Sequence, residues 1–542
     1  MLGVEEDGGH GDFDVVIVGA GFAGLYMLHH LRRNGFNARI FEAADDVGGT
    51  WYWNRYPGAR CDNESVDYSY SFDEALQQEW HWTERYASQA EILRYIGHVA
   101  DRYDLRDHIT FRARIDAAHF DDACELWVVQ TDQGVRARTR YVVWATGCLS
   151  ATQTPTIPGL DAYRGFVFHT ARWPHEDISF AGARVGVIGT GSSAIQLIPL
   201  AAAEAQHLTV FQRTPNFSVP ARNRPIGPEE ERAYKATYRE RRIQARQSRT
   251  GWVYERNDVG ALDVDHATRE RAFEHRWETG GVNFLNSFND LFTDLQSNTT
   301  AAEFIRSKIR DIVRDPSIAA RLEPLDYPVG TKRICCDSGY YETFNRDNVS
   351  LVDLREDPIV CFTPSGIRSS SGREWDFDMV ILATGFDAIT GAISAIDIRG
   401  RAGCELREQW SDGASTYLGL AAAGFPNMFF ITGPGSPSVL SNMVFSIEHH
   451  VEWIASCLIH LRASGKTTIE PSPDAQDEWM RTVDEIAGTT LFPLANSWYS
   501  GQNIPGKPNR FLPYAGGVDL YSAVCKDVSS KGYPGFDISG PP

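Results

Sequence analysis

The sequence predicts an α/β fold of two Rossmann-like dinucleotide-binding domains, with a helical insertion in the second. Three observations predict it. A glycine-rich turn between an apolar strand and a helix occurs twice, at Gly19 and at Gly189. Each unit is completed by a later strand that ends in Ala-Thr-Gly, at Ala145 and at Ala383. Between about Gly227 and Asp326 the composition turns to charged segments with helix-start signals.

In chain order, Phe13 to Val18 is a short apolar run that enters Gly19-Ala20-Gly21-Phe22-Ala23-Gly24. Leu25, Leu28 and Leu31 then recur until Asn34-Gly35 stops the helix, and Ala38 to Phe41 forms the next strand, closed by Glu42. Gly19 permits the tight turn, Gly21 the close approach of a pyrophosphate and Gly24 the close packing of helix on strand; Ala23 lies in the same turn. The helix start offers free N–H groups to phosphate, and Glu42 is placed to accept from ribose hydroxyls. A lone glycine fingerprint would be weak, but strand, turn, helix, strand and acid in register make it a dinucleotide site.

The pattern repeats from Arg184 to Ile188 into Gly189-Thr190-Gly191-Ser192-Ser193-Ala194, followed by a helix with Ile195, Leu197, Ile198 and Ala201. Its second strand, Leu208 to Phe211, ends on Gln212-Arg213-Thr214 instead of an acid. An acid would repel a 2′-phosphate, whereas Arg213 can pair with one and Thr214 can donate to it, so this nucleotide reads as NADPH, not NADH. A solvated surface arginine would leave the same residue at 213. The strands Tyr141 to Trp144 and Met379 to Leu382 both run into Ala-Thr-Gly, which lets the backbone turn closely past a nucleotide and marks where the chain crosses between units.

In the charged block, Pro228 with Glu229, Glu230 and Glu231 opens a helix, Thr300-Ala301-Ala302-Glu303 reads as a capping box, and Asp315-Pro316 starts another helix. The expected division is 1–150 and 387–542 for the two parts of the first dinucleotide domain, 151–226 and 327–386 for those of the NADPH domain, and 227–326 for the insertion.

At 542 residues, two or three domains are expected. A net charge of -19 argues against nucleic acid and anionic membranes as partners, which need a basic footprint. The stretch MLGVEEDGGHGDFD has no targeting pattern, and Tyr417 to Thr432, the most apolar run, is broken by Gly419, Gly424 and Pro426. Nine scattered cysteines form no CxxC or metal-ligand spacing, so reduced thiols in a cytoplasmic protein and no metal site are expected. The missing CxxC also excludes the disulfide reductases among two-nucleotide flavoproteins.

Two stretches carry a resemblance. Gly48 to Asp62 (GGTWYWNRYPGARCD) and Tyr163 to Pro174 (YRGFVFHTARWP) resemble the two signatures of the type I Baeyer–Villiger monooxygenases, apart from Tyr163 where that family has Phe. Trp80 to Tyr86, Tyr340 to Arg346 and Gly433 to Ser438 resemble the phenylacetone and steroid monooxygenase branch.

The resemblance implies FAD and NADPH as cofactors, O2 and a small-molecule ketone as substrates, and an ester or lactone formed through a flavin C4a-peroxide. The ketone expected is aryl-alkyl, linear or bulky and polycyclic, with sulfoxidation on the side, in a monomer or weak oligomer. Arg333 matches the catalytic arginine, a fixed donor fork suited to successive anions, and Asp62 matches the acid that orients it. Thr50, Trp51, Tyr52, Trp53, Asp62, Tyr68 and Met443 match flavin-lining positions. Arg60, Ser192, Ser193, Lys332, Arg333 and Trp498 match NADP contacts, Lys332 at the 2′-phosphate and Trp498 over the nicotinamide. His169 and Trp173 match the segment linking the domains, so His169 is expected to couple domain motion and not to act as an acid or base. Two rivals stay open. A flavin N- or S-hydroxylase would lack Arg333 with Asp62 and the Trp173-Pro174 ending. A FAD- and NADPH-binding redox sensor would show no ketone-dependent NADPH consumption.

Overall fold

The computed structural model describes residues 12–541; the acidic, glycine-rich beginning of the chain up to residue 11 lies outside the described residues. Strands form where the apolar runs predict them. Phe13–Val18 lies parallel to Ala38–Phe41 on one side and to Arg136–Trp144 on the other, and is buried along Val15 to Val18. This sheet runs Asp397–Arg399, Ile115–Asp121, Leu126–Thr131, Arg136–Trp144, Phe13–Val18, Ala38–Phe41 and Ile109–Thr110, and Met428–Phe430 pairs with the end of Arg136–Trp144. Its strands therefore come from both ends of the sequence.

A second, all-parallel sheet takes its five strands from the middle of the chain. They lie in the order Val349–Asp353, His207–Gln212, Arg184–Ile188, Met379–Leu382 and Phe166–His169. In both sheets the glycine turn sits at the C-terminal end of a central strand whose neighbours lead away in opposite directions, where open α/β sheets bind ligands.

The charged block is helical at Pro228–Ala236, Tyr238–Gln247, His266–Thr279, Leu295–Ile312 and Pro316–Leu322. It does not pack as one body on the second unit. Tyr234 and Tyr238 join the core of the first unit, with Trp82 and Tyr95, while Phe273, Trp277 and Phe304 join that of the second. Asp315 caps its helix as expected, accepting from Ser317 N and Ile318 N. The capping box at Thr300 is corrected. Thr300 lies inside the helix Leu295–Ile312, which Asp294 caps by accepting from Ser297 N, and the Thr300 hydroxyl donates to the Ser297 carbonyl. An aspartate six residues earlier offered the stronger cap. No helix among the described residues is long and apolar enough to cross a membrane.

Candidate active site

Each glycine turn is closed by the Ala-Thr-Gly strand of its own sheet. Gly19 has φ +106°, and a Cβ there would lie 2.7 Å from the Ala145 carbonyl oxygen; at Gly189, φ +115°, it would lie 2.4 Å from that of Ala383. The helices Phe22–Arg33 and Ser192–Glu204 begin on Gly21 and Gly191 with no side-chain cap. Their first N–H groups stay free for phosphate, so both turns fit a dinucleotide.

Around the first turn, Ala23 and Gly24 are buried in the opening of the helix. Glu42 is buried and accepts from Ala20 N at 2.6 Å and Ala44 N at 2.7 Å, one bond to each oxygen. Burial pushes its carboxyl above the usual range, against the pull of those amides. Each oxygen keeps a lone pair for a ribose hydroxyl.

Around the second turn, Thr190 donates to the Thr214 carbonyl and the Ser192 hydroxyl meets Cys335 Sγ, while Arg213 is exposed beside half-buried Thr214. Gln212, in the place of Glu42, turns inward and donates to the Arg321 carbonyl. The Lys332 ammonium lies 4.5 Å from the Tyr327 ring centre. Burial, then the neighbouring Arg213 charge, holds it below the ordinary lysine range. Two cations close enough for Arg213 to outweigh Asp326 at Lys332 suit a 2′-phosphate.

The first signature spans both units. Gly49 lies against Gly21, Trp51 enters the first core, and Tyr56 and Ala59 enter the second. Thr50 opens the short helix Thr50–Trp53, and Trp51 Nε1 donates to the Tyr68 hydroxyl at 3.2 Å. Tyr56 donates to Gln196 Oε1 on the second unit's helix, and Tyr52 lies edge-on to His175. Arg60, expected at NADP, holds Glu84 and the Tyr86 carbonyl here. Tyr68 also packs edge-on to Phe22. Met443 begins the helix Met443–Ala463, capped by Asn442.

The signature ends on Asp62, which reaches Arg333. The guanidinium grips it with two parallel bonds of 2.8 Å, from Nε and Nη2, and Nη1 donates to the Val439 carbonyl at 3.1 Å. Burial alone would lower the guanidinium's hold on its proton, but the Asp62 charge outweighs this and raises it above the ordinary arginine value. Those bonds use three of its five N–H groups, and 23% of the side chain stays accessible, so an anion can be met there. Tyr499 lies beside it, its phenol pushed up to about 12 by burial. Trp498 packs on that residue with its ring tilted at 52°, the ring centres 4.3 Å apart. The Val439 carbonyl and Tyr499 were invisible in the sequence, because neither carries a motif.

The second signature makes its contacts within the second unit and with the first signature. Tyr163 donates its hydroxyl to the Phe377 carbonyl at 3.0 Å. His169 Nδ1 accepts from Ala171 N, which leaves Nε2 to donate to the Gln153 carbonyl, and burial lowers its pKa. Trp173 packs on Phe168 and Phe180, and the Arg172 guanidinium lies 4.1 Å from the Trp53 ring centre, tying the two signatures together. The nine cysteines are all free, and among the described residues no His, Cys, Asp or Glu cluster is placed to hold a metal ion.

Residues 16–268 match the family model described as pyridine nucleotide-disulphide oxidoreductase. The chain is 44% identical over 525 residues, 96% of its length and 95% of the relative's, to a Baeyer–Villiger monooxygenase of Pseudooceanicola batsensis. It is 43% identical over 533 residues, 98% of both chains, to phenazine N-monooxygenase PhzNO1 of Lysobacter antibioticus. The solved structure of oxidized steroid monooxygenase bound to NADP superposes with a TM-score of 0.93 at 49% identity, covering 97% of this chain and 99% of that one.

Proposed function

The chain belongs to the Baeyer–Villiger monooxygenases, and from that premise we propose that it uses NADPH and O2 to convert ketones to esters or lactones. FAD, held at the first turn, supplies hydride acceptance from NADPH and activation of O2. The chain's residues do the rest. Gly21 and Gly191 bring backbone N–H groups to the two pyrophosphates, and Glu42 takes the ribose. Arg213 and Lys332 take the 2′-phosphate, and Trp498 covers the nicotinamide. The bidentate Arg333–Asp62 pair carries the reading: Asp62 fixes the fork, and the accessible edge of the guanidinium stabilises negative charge at the reacting oxygen without releasing a proton. Ketones of the aryl-alkyl, linear or polycyclic type are the substrates, sulfides side substrates, and the enzyme acts in the cytoplasm as a monomer or weak oligomer.

A ketone panel with NADPH, scored by gas chromatography, tests this; wild-type enzyme giving no ester or lactone overturns it. Arg333→Ala is expected to keep NADPH oxidation but lose about 10²-fold or more in ester formation. Arg333→Lys is expected not to rescue it, because an ammonium cannot hold Asp62 with a fork. A second reading, N-oxygenation of an aromatic heterocycle, is favoured by the phenazine N-monooxygenase relative. Phenazine included in the panel separates the two.

A further inference from the structure

The helix Tyr238–Gln247, YRERRIQARQ, has the composition of a solvated surface helix, yet two of its arginines are spent on the segment that follows Asp62. Arg241 grips Asp67 through two bonds of 2.6 Å, Nε to Oδ1 and Nη2 to Oδ2, and also reaches Glu64 at 3.5 Å. Only 2% of Asp67 is exposed. Arg242 donates to four oxygens of the same turn: the carbonyls of Val66 at 3.0 Å, Asp67 at 3.1 Å and Ser69 at 3.1 Å, and Ser69 Oγ at 2.7 Å. The Asp67 carbonyl also accepts from Asn442 Nδ2 at 2.9 Å, beside Met443. The start of the turn is held by Arg85, which donates to Glu64 and accepts from Ser65 N, and the rest of it, to Ser69, by the insertion on one side and by the cap of the long C-terminal helix on the other.

The turn lies between two residues of the site. Asp62 precedes it by two positions, and Tyr68, which accepts from Trp51, lies within it. Among the described residues the Asp62 carboxylate accepts only from Arg333, which arrives from the second unit. Nothing else on the side chain fixes where Asp62 stands, so its place is set by the backbone it hangs from. A buried ion pair such as Arg241–Asp67 gains little net stability over apolar packing, and fixing one geometry is its better-attested use.

We propose that Arg241 and Arg242 are positioning residues for oxygenation: they hold the Glu64–Ser69 turn so that Asp62 meets Arg333 and Tyr68 stands against Trp51. This rests on the function proposed above. The test uses FAD-loaded Arg242→Gln, which orphans no buried charge, and the double variant Arg241→Gln with Asp67→Asn, which removes both charges of the pair. Ester formed per NADPH consumed is expected to fall about tenfold in each, the difference appearing as hydrogen peroxide, with anaerobic flavin reduction within about twofold of wild type. Arg241→Lys, which keeps the charge without the fork, is expected to lie between. An unchanged ester-to-NADPH ratio in FAD-loaded Arg242→Gln overturns the proposal, whatever the double variant does. If wild type itself makes no ester, the function proposed above fails. The clamp is then judged by visible circular dichroism of bound FAD, which must change in Arg242→Gln for it to stand.

Discussion

The two nucleotide units repeat one plan and differ in how tightly the turn is enclosed. At the third glycine position a Cβ on Gly24 would lie 1.8 Å from the Gly19 carbonyl oxygen, while the equivalent residue of the second unit is Ala194, buried without difficulty. At the middle position Gly21 has Gly49 against it, its Cβ site 3.4 Å from the Gly49 Cα, whereas Gly191 has nothing within 4 Å. The first helix lies closer on its strand, and the turn before Thr50 walls its phosphate site. The second is open on that side. One scaffold thus makes a closed site, which suits a cofactor that stays, and an open one, which suits a nucleotide that exchanges.

The largest effect expected from that difference is at the third position. Gly24→Ala must displace backbone, so it is expected to yield protein without bound FAD. Ala194→Gly should cost about 1 kcal/mol of helix stability and leave FAD content unchanged. Flavin absorbance per protein and thermal unfolding measure both. Normal FAD loading of Gly24→Ala would mean that the two turns are alike after all.

The next effect separates the strand ends. Arg213→Ala and Lys332→Ala are each expected to lower kcat/KM for NADPH about 10-fold or more, with little change for NADH. Glu42→Gln is expected to leave that ratio alone and weaken FAD retention. Steady-state kinetics with both nucleotides, and FAD release on dilution, show whether the acid and the cations divide the labour. A changed NADPH-to-NADH ratio in Glu42→Gln would break the division.

Much of this plan was legible locally. The strands Phe13–Val18, Ala38–Phe41, Arg184–Ile188 and Met379–Leu382 begin and end where the apolar runs do, because each is buried and bounded by a glycine turn or a polar residue. Thr300 was misread because a capping pattern takes no account of a better cap upstream. Arg60 on Glu84, and Arg241 on Asp67, were illegible for another reason. Partners 24 and 174 residues apart share no periodicity, and a charged side chain looks solvated until the fold buries it. The Arg333–Asp62 pair, 271 residues apart, was reachable only through resemblance.

The smallest effect expected is also the one that sets the two sites against each other most directly, because their titrating groups are shifted in opposite senses. Glu42 is raised by burial, so in the empty protein it keeps its proton to a higher pH than a free glutamate. Ribose hydroxyls donating to the carboxylate favour its charged form, so FAD binding releases a proton, and affinity rises with pH through the raised value and levels above it. Lys332 is lowered by burial and by Arg213, so near and above its lowered value the empty site is partly neutral. A 2′-phosphate favours the ammonium, so NADP binding takes up a proton, and affinity falls as pH rises through that value. Titrating each nucleotide across pH is therefore expected to give slopes of opposite sign, that for FAD lost in Glu42→Gln and that for NADP lost in Lys332→Ala. Slopes of the same sign in the wild type would mean that one of these two groups does not touch its nucleotide.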